Sequence, residues 1–339
     1  MNGAAMNRVD PDLTAMIDSV FTAHRGEHDS TPVLDRELWA RLDELGLIRL
    51  TGDERVGGSG AGWWEATELL TAAARHGVRL PLGEHDLLAC ALLDEAGLPS
   101  DDGLVRTIAF ADATGVAHRV PWADGVDRVV VVRGDAGVAD VDPAACDLQP
   151  GSNLIGEPRP SLRLADDTAV RPVDAGAVAR TRLKYALVRG VQVCAALDRA
   201  VELAIEHTRV RVQFGRPLAR QQAVQGLVSR AAAEAALART ATETAIADAV
   251  RSEWSSDRLP FLIAVARSCA GHAASVVVRN THQVHGAIGT TREHRLHEYT
   301  RAALAWRGEA GSVADWDRRV QAAATEVGSS GLWTLISGR

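Results

Sequence analysis

Apolar residues recur at helical spacing in two long stretches of this chain and lose that spacing between them. From about Pro11 to Gly97, residues such as Leu38, Leu42, Leu45 and Leu47 keep a helical rhythm, broken by the glycine cluster ERVGGSGAGWWE. The region reads as helices with one flexible loop. From Leu104 to about Val173 the texture changes to short β-rich runs, RTIAFAD and VDRVVVVRGD, with six prolines between Pro121 and Pro172. Proline removes a ladder donor, so a small domain of short strands is expected. After Arg180 the helical period returns: Leu183, Leu187, Val191, Cys194, Leu197, Val201 and Ile205 form one apolar stripe. Further helices are expected over 220–251, over 260–285 and through the last forty residues, with Pro260 suited to a first turn. The predicted fold class is α+β, mainly α. An N-terminal helical domain (1–103), a reduced middle β domain (104–175) and a C-terminal four-helix bundle (176–339) follow one another.

Composition narrows the function. A chain of 339 residues, 46% hydrophobic and 24% charged, has enough material for a substantial core. The N-terminal segment has no basic region leading into an apolar core, and no eighteen-residue apolar run occurs, so a cytoplasmic protein without membrane insertion is expected. Cys90, Cys146, Cys194 and Cys269 lie far apart with no C-x-x-C pair, which suggests core residues and no metal site. The formal net charge of -7 argues against nucleic acid as a partner.

Positive charge is nevertheless concentrated. Between His207 and Arg239 lie Arg209, Arg211, Arg216, Arg220, Arg230 and Arg239 against one acid, Glu234. A solvated helix face would account for such a run. The interruption by Phe214, Gly215 and Pro217 points elsewhere, because a broken helix lets guanidinium groups and free N–H groups converge on phosphate. A second segment, THQVHGAIGTTREHRLHEY, ends an apolar helix at Gly286 and Gly289, with Gln283 and His285 supplying donors just before them. Glycines there serve as helix punctuation or as a place where backbone approaches an anionic ligand.

Taken together, RVQFGRPLARQQAV and THQVHGAIGTTREHRLH resemble the C-terminal bundle of the acyl-CoA dehydrogenase family. The resemblance covers nearly the whole chain, strongest from Leu183 to Leu304, and the helix–β–helix order agrees. It implies FAD as cofactor, shared with a neighbouring subunit across an interface. On this chain the family's FAD-contacting positions fall on Arg211, Gln213, Phe214, Gln222, Gln283, Gly286 and Gly289, with Ala287 where the family has a further glycine.

Departures from the family matter as much. The Thr-Glu-Pro-x-Ala-Gly-Ser-Asp type segment that cradles flavin in catalytic members has no counterpart; the comparable stretch reads AFADATGVAHRVPWADG. The family's catalytic glutamate falls on Ala310, beside Glu309, or on His272, and neither aligned position is a carboxylate. The plain reading places Glu309 exposed in a loop and His272 packed on its helix. No catalytic residue is therefore expected in this chain, with Glu309 and His272 as weak candidates. The resemblance is then to the non-catalytic subunit of actinobacterial α2β2 enzymes that dehydrogenate steroid side-chain CoA thioesters. It implies a homologous partner subunit, an acyl-CoA substrate and an electron-transfer acceptor. A homomeric enzyme with a relocated base and a flavin-free scaffold of the same fold are the alternatives.

Overall fold

The computed structural model describes residues 9–135, 137–165, 167–213 and 215–338. The chain divides into two compact units, Met1–Tyr185 and Ala186–Arg339.

In the first unit, α1 (Pro11–Glu27) begins where the Asp10 carboxylate accepts from the Asp12 N–H, with Pro11 in the first turn. Helix α2 (Arg36–Glu44) is capped the same way by Asp35, which accepts from Glu37 and Leu38. Helix α3 (Trp63–His76) ends at Gly77 in the left-handed conformation. The glycine cluster before α3, expected to be flexible, is instead bonded to the preceding segment: Ser59 N–H to Arg49 O at 3.0 Å, Gly60 N–H to Gly52 O at 2.9 Å and Ala61 N–H to Leu50 O at 2.9 Å. Gly58 makes this possible, since its bare Cα lies directly on the Gly52 backbone.

The helical periodicity gave no warning of a buried π-helical stretch, Gly83–Cys90, that runs into α4 (Ala91–Glu95). Its polar residues Glu84, His85 and Asp86 are all buried. His85 Nδ1 accepts the Arg106 N–H at 3.0 Å, and Asp86 accepts both the N–H and the hydroxyl of Thr51 at 2.9 and 3.0 Å. Burial pulls the His85 imidazole down to about 3 and pushes the Asp86 carboxyl up to about 6. The stretch thereby ties the helices to the first strand.

Among the described residues seven strands form the sheet: β1 (Arg106–Ala111), β2 (Val116–Ala117), β3 (Arg128–Arg133), β4 (Gly137–Val141), β5 (Asp147–Gln149), β6 (Ser161–Arg163) and β7 (Arg171–Pro172), in the order β5-β6-β2-β1-β3-β4-β7. Strands β1 and β3 run parallel with Arg106 opposite Arg128, and the other pairs are antiparallel. The run of four valines in β3 shows no alternation because Val129–Val132 are all fully buried, on both faces of the sheet.

Helix α5 (Ala175–Val210) carries the chain into the second unit, followed by a small hairpin, β8 (Val212–Gln213) and β9 (Arg216–Pro217). Then come α6 (Gln222–Arg251), α7 (Leu259–His285), α8 (Leu296–Trp306) and α9 (Val313–Ser337). The expected single stripe on α5 proves incomplete: every residue from Ala186 to Leu197 is buried, all round the helix. Small residues permit this, as where Gly190 faces Thr242 of α6 and Cys194 Sγ lies 3.4 Å from the Thr242 hydroxyl. Helix α7 packs along both α6 and α9. The segment Leu259–Thr290 is long and apolar enough by composition to cross a membrane, yet just over half of its most apolar window is buried inside the protein. Of the four cysteines expected in the core, Cys90 and Cys194 are buried, whereas Cys146 and Cys269 sit part-exposed because they occupy a loop and an outer helix face.

Candidate functional site

Helix α5 stops at Val210 and the chain doubles back, Gln213 pairing with Arg216 across a tight turn. Gly215 holds φ at +75°, a conformation that L side chains resist. Phe214 lies outside the described residues. Arg211 is pinned at the break: its N–H donates to His207 O, and its carbonyl accepts from Leu218 N–H, both at 2.9 Å. Within the same unit α7 ends at His285, where Gly286 takes φ of +64° and starts a short 3₁₀ turn.

Between these two chain reversals lies a cavity of about 520 Å³, a size suited to a small-molecule ligand. Arg211, Gln213, Gln283 and Gly286 line it, as does Ala287. A Cβ added at Gly286 would meet nothing within 4 Å, so the turn faces open space. Gln222 is placed otherwise, as the exposed first residue of α6. The adjacent Gln221 lines the cavity, and its amide Nε2 is buried without a hydrogen-bond partner. Gly289 does not line the cavity; a Cβ there would fall 2.8 Å from His285 Cβ, so this glycine lets the turn pack against the end of α7.

The arginine run divides by environment. Arg239 is bound to Asp198 at 2.7 Å and Arg230 donates back to Gly226 O at 3.3 Å. Among the described residues, Arg209, Arg211, Arg216 and Arg220 have no carboxylate within ion-pair distance, so the cavity faces an uncompensated guanidinium at Arg211. His285 was expected to be a donor toward a ligand. Its Nδ1 instead donates to Thr281 O at 2.8 Å, as a carbonyl partner requires. The ring stacks on His207 with centroids 4.5 Å apart and meets His294 at the same distance. His207 and His294 carried no signal in the sequence, because they lie 78 and 9 positions from His285 on other elements.

The two weak catalytic candidates exchange the environments expected of them. Glu309 is buried and paired with Arg189, Nε to Oε2 at 2.7 Å, while Arg189 also donates to Gln192 Oε1. The Glu309 carbonyl accepts from Arg267, whose Nη2 also reaches the Trp306 and Arg307 carbonyls at the end of α8. His272 is exposed on α7 and bonded to Asp317 of α9 at 3.1 Å. In the AFADATG stretch, Asp112 accepts from the Thr114 and Val116 N–H groups and closes a turn. Trp122 beyond it is buried.

Residues 177–314 match the C-terminal domain model of acyl-CoA dehydrogenases, and residues 12–100 match the N-terminal domain model. The acyl-CoA dehydrogenase FadE34 of Mycobacterium tuberculosis is 29% identical over 310 residues, an alignment covering 85% of this chain but only 42% of FadE34. Among solved structures, the ChsE4–ChsE5 complex of M. tuberculosis superposes with a TM-score of 0.82 at 20% identity, covering 95% of this chain and 99% of the other. A Tcur3481–Tcur3483 steroid acyl-CoA dehydrogenase variant gives 0.80 at 22% identity, with 93% and 97% covered. Matches to both terminal domains of one family, in order and over most of the chain, establish that this protein belongs to the acyl-CoA dehydrogenase family.

Proposed function

We propose that this chain is the non-catalytic subunit of a heteromeric acyl-CoA dehydrogenase, giving part of the FAD site to a homologous partner that supplies the catalytic base. The observation that carries this reading is a contrast within one bundle. The cavity between the α5 hairpin and the α7 turn has an unpaired arginine and glutamine amides facing it, whereas Glu309, the carboxylate beside an aligned base position, is committed to Arg189.

The cavity residues fit a dinucleotide diphosphate. Arg211 can make charge-assisted bonds to phosphate oxygens. The unpartnered Gln221 amide has a donor to give, and the open Gly286 turn admits a ligand close to the backbone. FAD, when bound, would supply the oxidising chemistry, acceptance of hydride from an acyl thioester. This chain's residues bind and orient. A base must be free to accept a proton within hydrogen-bond reach of the α-carbon, and a carboxylate held by a buried guanidinium is not free to do so.

An α2β2 assembly, a steroid side-chain CoA thioester as substrate and an electron-transfer acceptor complete the proposal. The family membership supports the chemistry, and the likeness to chains of the ChsE4–ChsE5 complex and of a steroid acyl-CoA dehydrogenase supports this choice of assembly and substrate class. Arg211→Ala tests it. In the complex reconstituted with its homologous partner, flavin affinity is expected to fall by about 2–3 kcal/mol, roughly 30–150-fold, with the assembled mass unchanged. Unchanged flavin retention would return Arg211 to a solvated face. A yellow, catalytically active product from this chain expressed alone would overturn the division of labour.

A further inference from the structure

Two imidazoles, His207 and His285, line the cavity, and a third, His294, packs against them. His207 from α5, His285 from the end of α7 and His294 from the segment before α8 have ring centroids 4.5, 4.5 and 6.3 Å apart. Among the described residues none of the three is ion-paired to a carboxylate. Their hydrogen bonds define the protons. His294 Nδ1 accepts the Leu296 N–H at 3.1 Å, and His285 Nδ1 donates to Thr281 O. His285 is 5% exposed, and its Nε2 is buried with no hydrogen-bond partner. In the neutral ring that nitrogen is a bare lone pair held away from water, and the Thr281 and Leu203 carbonyls beside the ring favour its protonated form.

What opposes the second proton is first of all burial. Around the stack stand His207 on α5, Arg211 just past its end, His282 on α7, His294 before α8 and His297 in its first turn; among the described residues Glu206 offers the opposite sign and is bonded to Arg199 at 2.9 Å. Burial and the neighbouring imidazoles hold His207, His282 and His294 below the ordinary histidine range, and burial does the same to His285 although the Thr281 and Leu203 carbonyls favour its charged form. The free imidazoles are therefore neutral at pH 7. A diphosphate beside Arg211 would bring negative charge next to the stack and favour the protonated ring.

We propose that the cavity takes up a proton when it binds a diphosphate diester, and that the proton resides on His285 within the His207–His285–His294 stack. This rests on the dinucleotide reading of the same cavity. The sign follows from linkage: binding favours the protonated ring, so affinity rises as pH falls from 8 toward 6 and levels off once the free ring is itself charged. The diphosphate diester of FAD keeps its charge across this range, so the dependence belongs to the protein.

The test is titration calorimetry of FAD into the flavin-depleted complex reconstituted with the homologous partner, at pH 6, 7 and 8, in buffers of different ionisation enthalpy. Dephospho-coenzyme A, which carries a diphosphate diester without a titrating phosphate, forms the second arm. Expected are an uptake of about one proton near neutral pH and affinity about tenfold or more weaker at pH 8 than at pH 6. His285→Asn is expected to abolish the proton uptake and to flatten the pH dependence of affinity. His207→Phe, which keeps a stacked ring but cannot itself take a proton, is expected to leave the proton uptake in place. FAD binding with no proton uptake overturns this proposal and leaves the cofactor reading standing. Proton-linked binding of dephospho-coenzyme A alone supports the proposal and overturns the cofactor reading. Binding of neither ligand at any pH overturns both.

Discussion

Glu309→Ala is expected to destabilise the C-terminal unit by about 3–5 kcal/mol, a loss visible in thermal or urea unfolding before any question of turnover arises. The reason lies in what is left behind. Arg189 is 1% exposed, and its partner carboxylate, 8% exposed, sits 2.7 Å from Nε. Removing the carboxylate strands a guanidinium in a place water cannot reach, and the cost of an uncompensated buried charge dominates over the lost packing. Glu309 sits in the turn after α8, its carbonyl held by Arg267 and followed by Ala310 at φ of +57°. Arg189→Met combined with Glu309→Leu is expected to recover most of the stability, since a buried pair replaced by apolar groups of similar size loses little. A Glu309→Ala protein as stable as wild type, with turnover of the complex reduced by two or more orders of magnitude, would instead make Glu309 a general base.

Gly58→Ala is the second large effect. The Cβ it introduces would stand 2.0 Å from the Gly52 carbonyl oxygen and 2.4 Å from Gly52 Cα. Both are backbone atoms, so no rotamer change relieves the overlap. The loop must part from residues 49–52, weakening the bonds of Ser59 and Gly60 to Arg49 and Gly52. The segment that would move carries Arg49, which is bonded to Asp94 at 2.8 Å. Overpacking of this kind costs typically about 1–3 kcal/mol and more where backbone must shift. Gly97→Ala is the control: its φ is +64° and nothing lies within 4 Å, so it bears only the left-handed backbone cost of about 1 kcal/mol. Equal melting temperatures for the two variants would show that the loop adapts and that the close approach contributes nothing.

Much of this architecture was legible in the chain. Helical periodicity located α6 and α7 to within two residues at either end, because long runs of alanine, leucine and valine at 3.6-residue spacing have few other ways to bury themselves. The break after Val210 was readable from Phe214-Gly215 and Pro217, and the one after His285 from Gly286, since glycine and proline act through local backbone geometry that needs no partner. Sequence also placed Arg211, Gln213, Gln283 and Gly286 in one neighbourhood through family likeness, and they do line one cavity.

Other features were settled only by neighbours distant in the chain. Gln221 rather than Gln222 faces the cavity because the helical start of α6 sets which of two adjacent amides points inward. His285 reads as a donor to ligand until its Nδ1 is seen bonded to Thr281 O, and its stacking partners come from α5 and from the approach to α8. Glu309 was expected in an exposed loop, and the buried Arg189, 120 positions earlier, draws it inside. The sequence by itself determined where helices run and where they break, because those choices are made by forces acting within a few residues. Which polar groups are buried, paired or left open to a ligand was decided by the tertiary structure, because desolvation and charge pairing depend on what packs against each group.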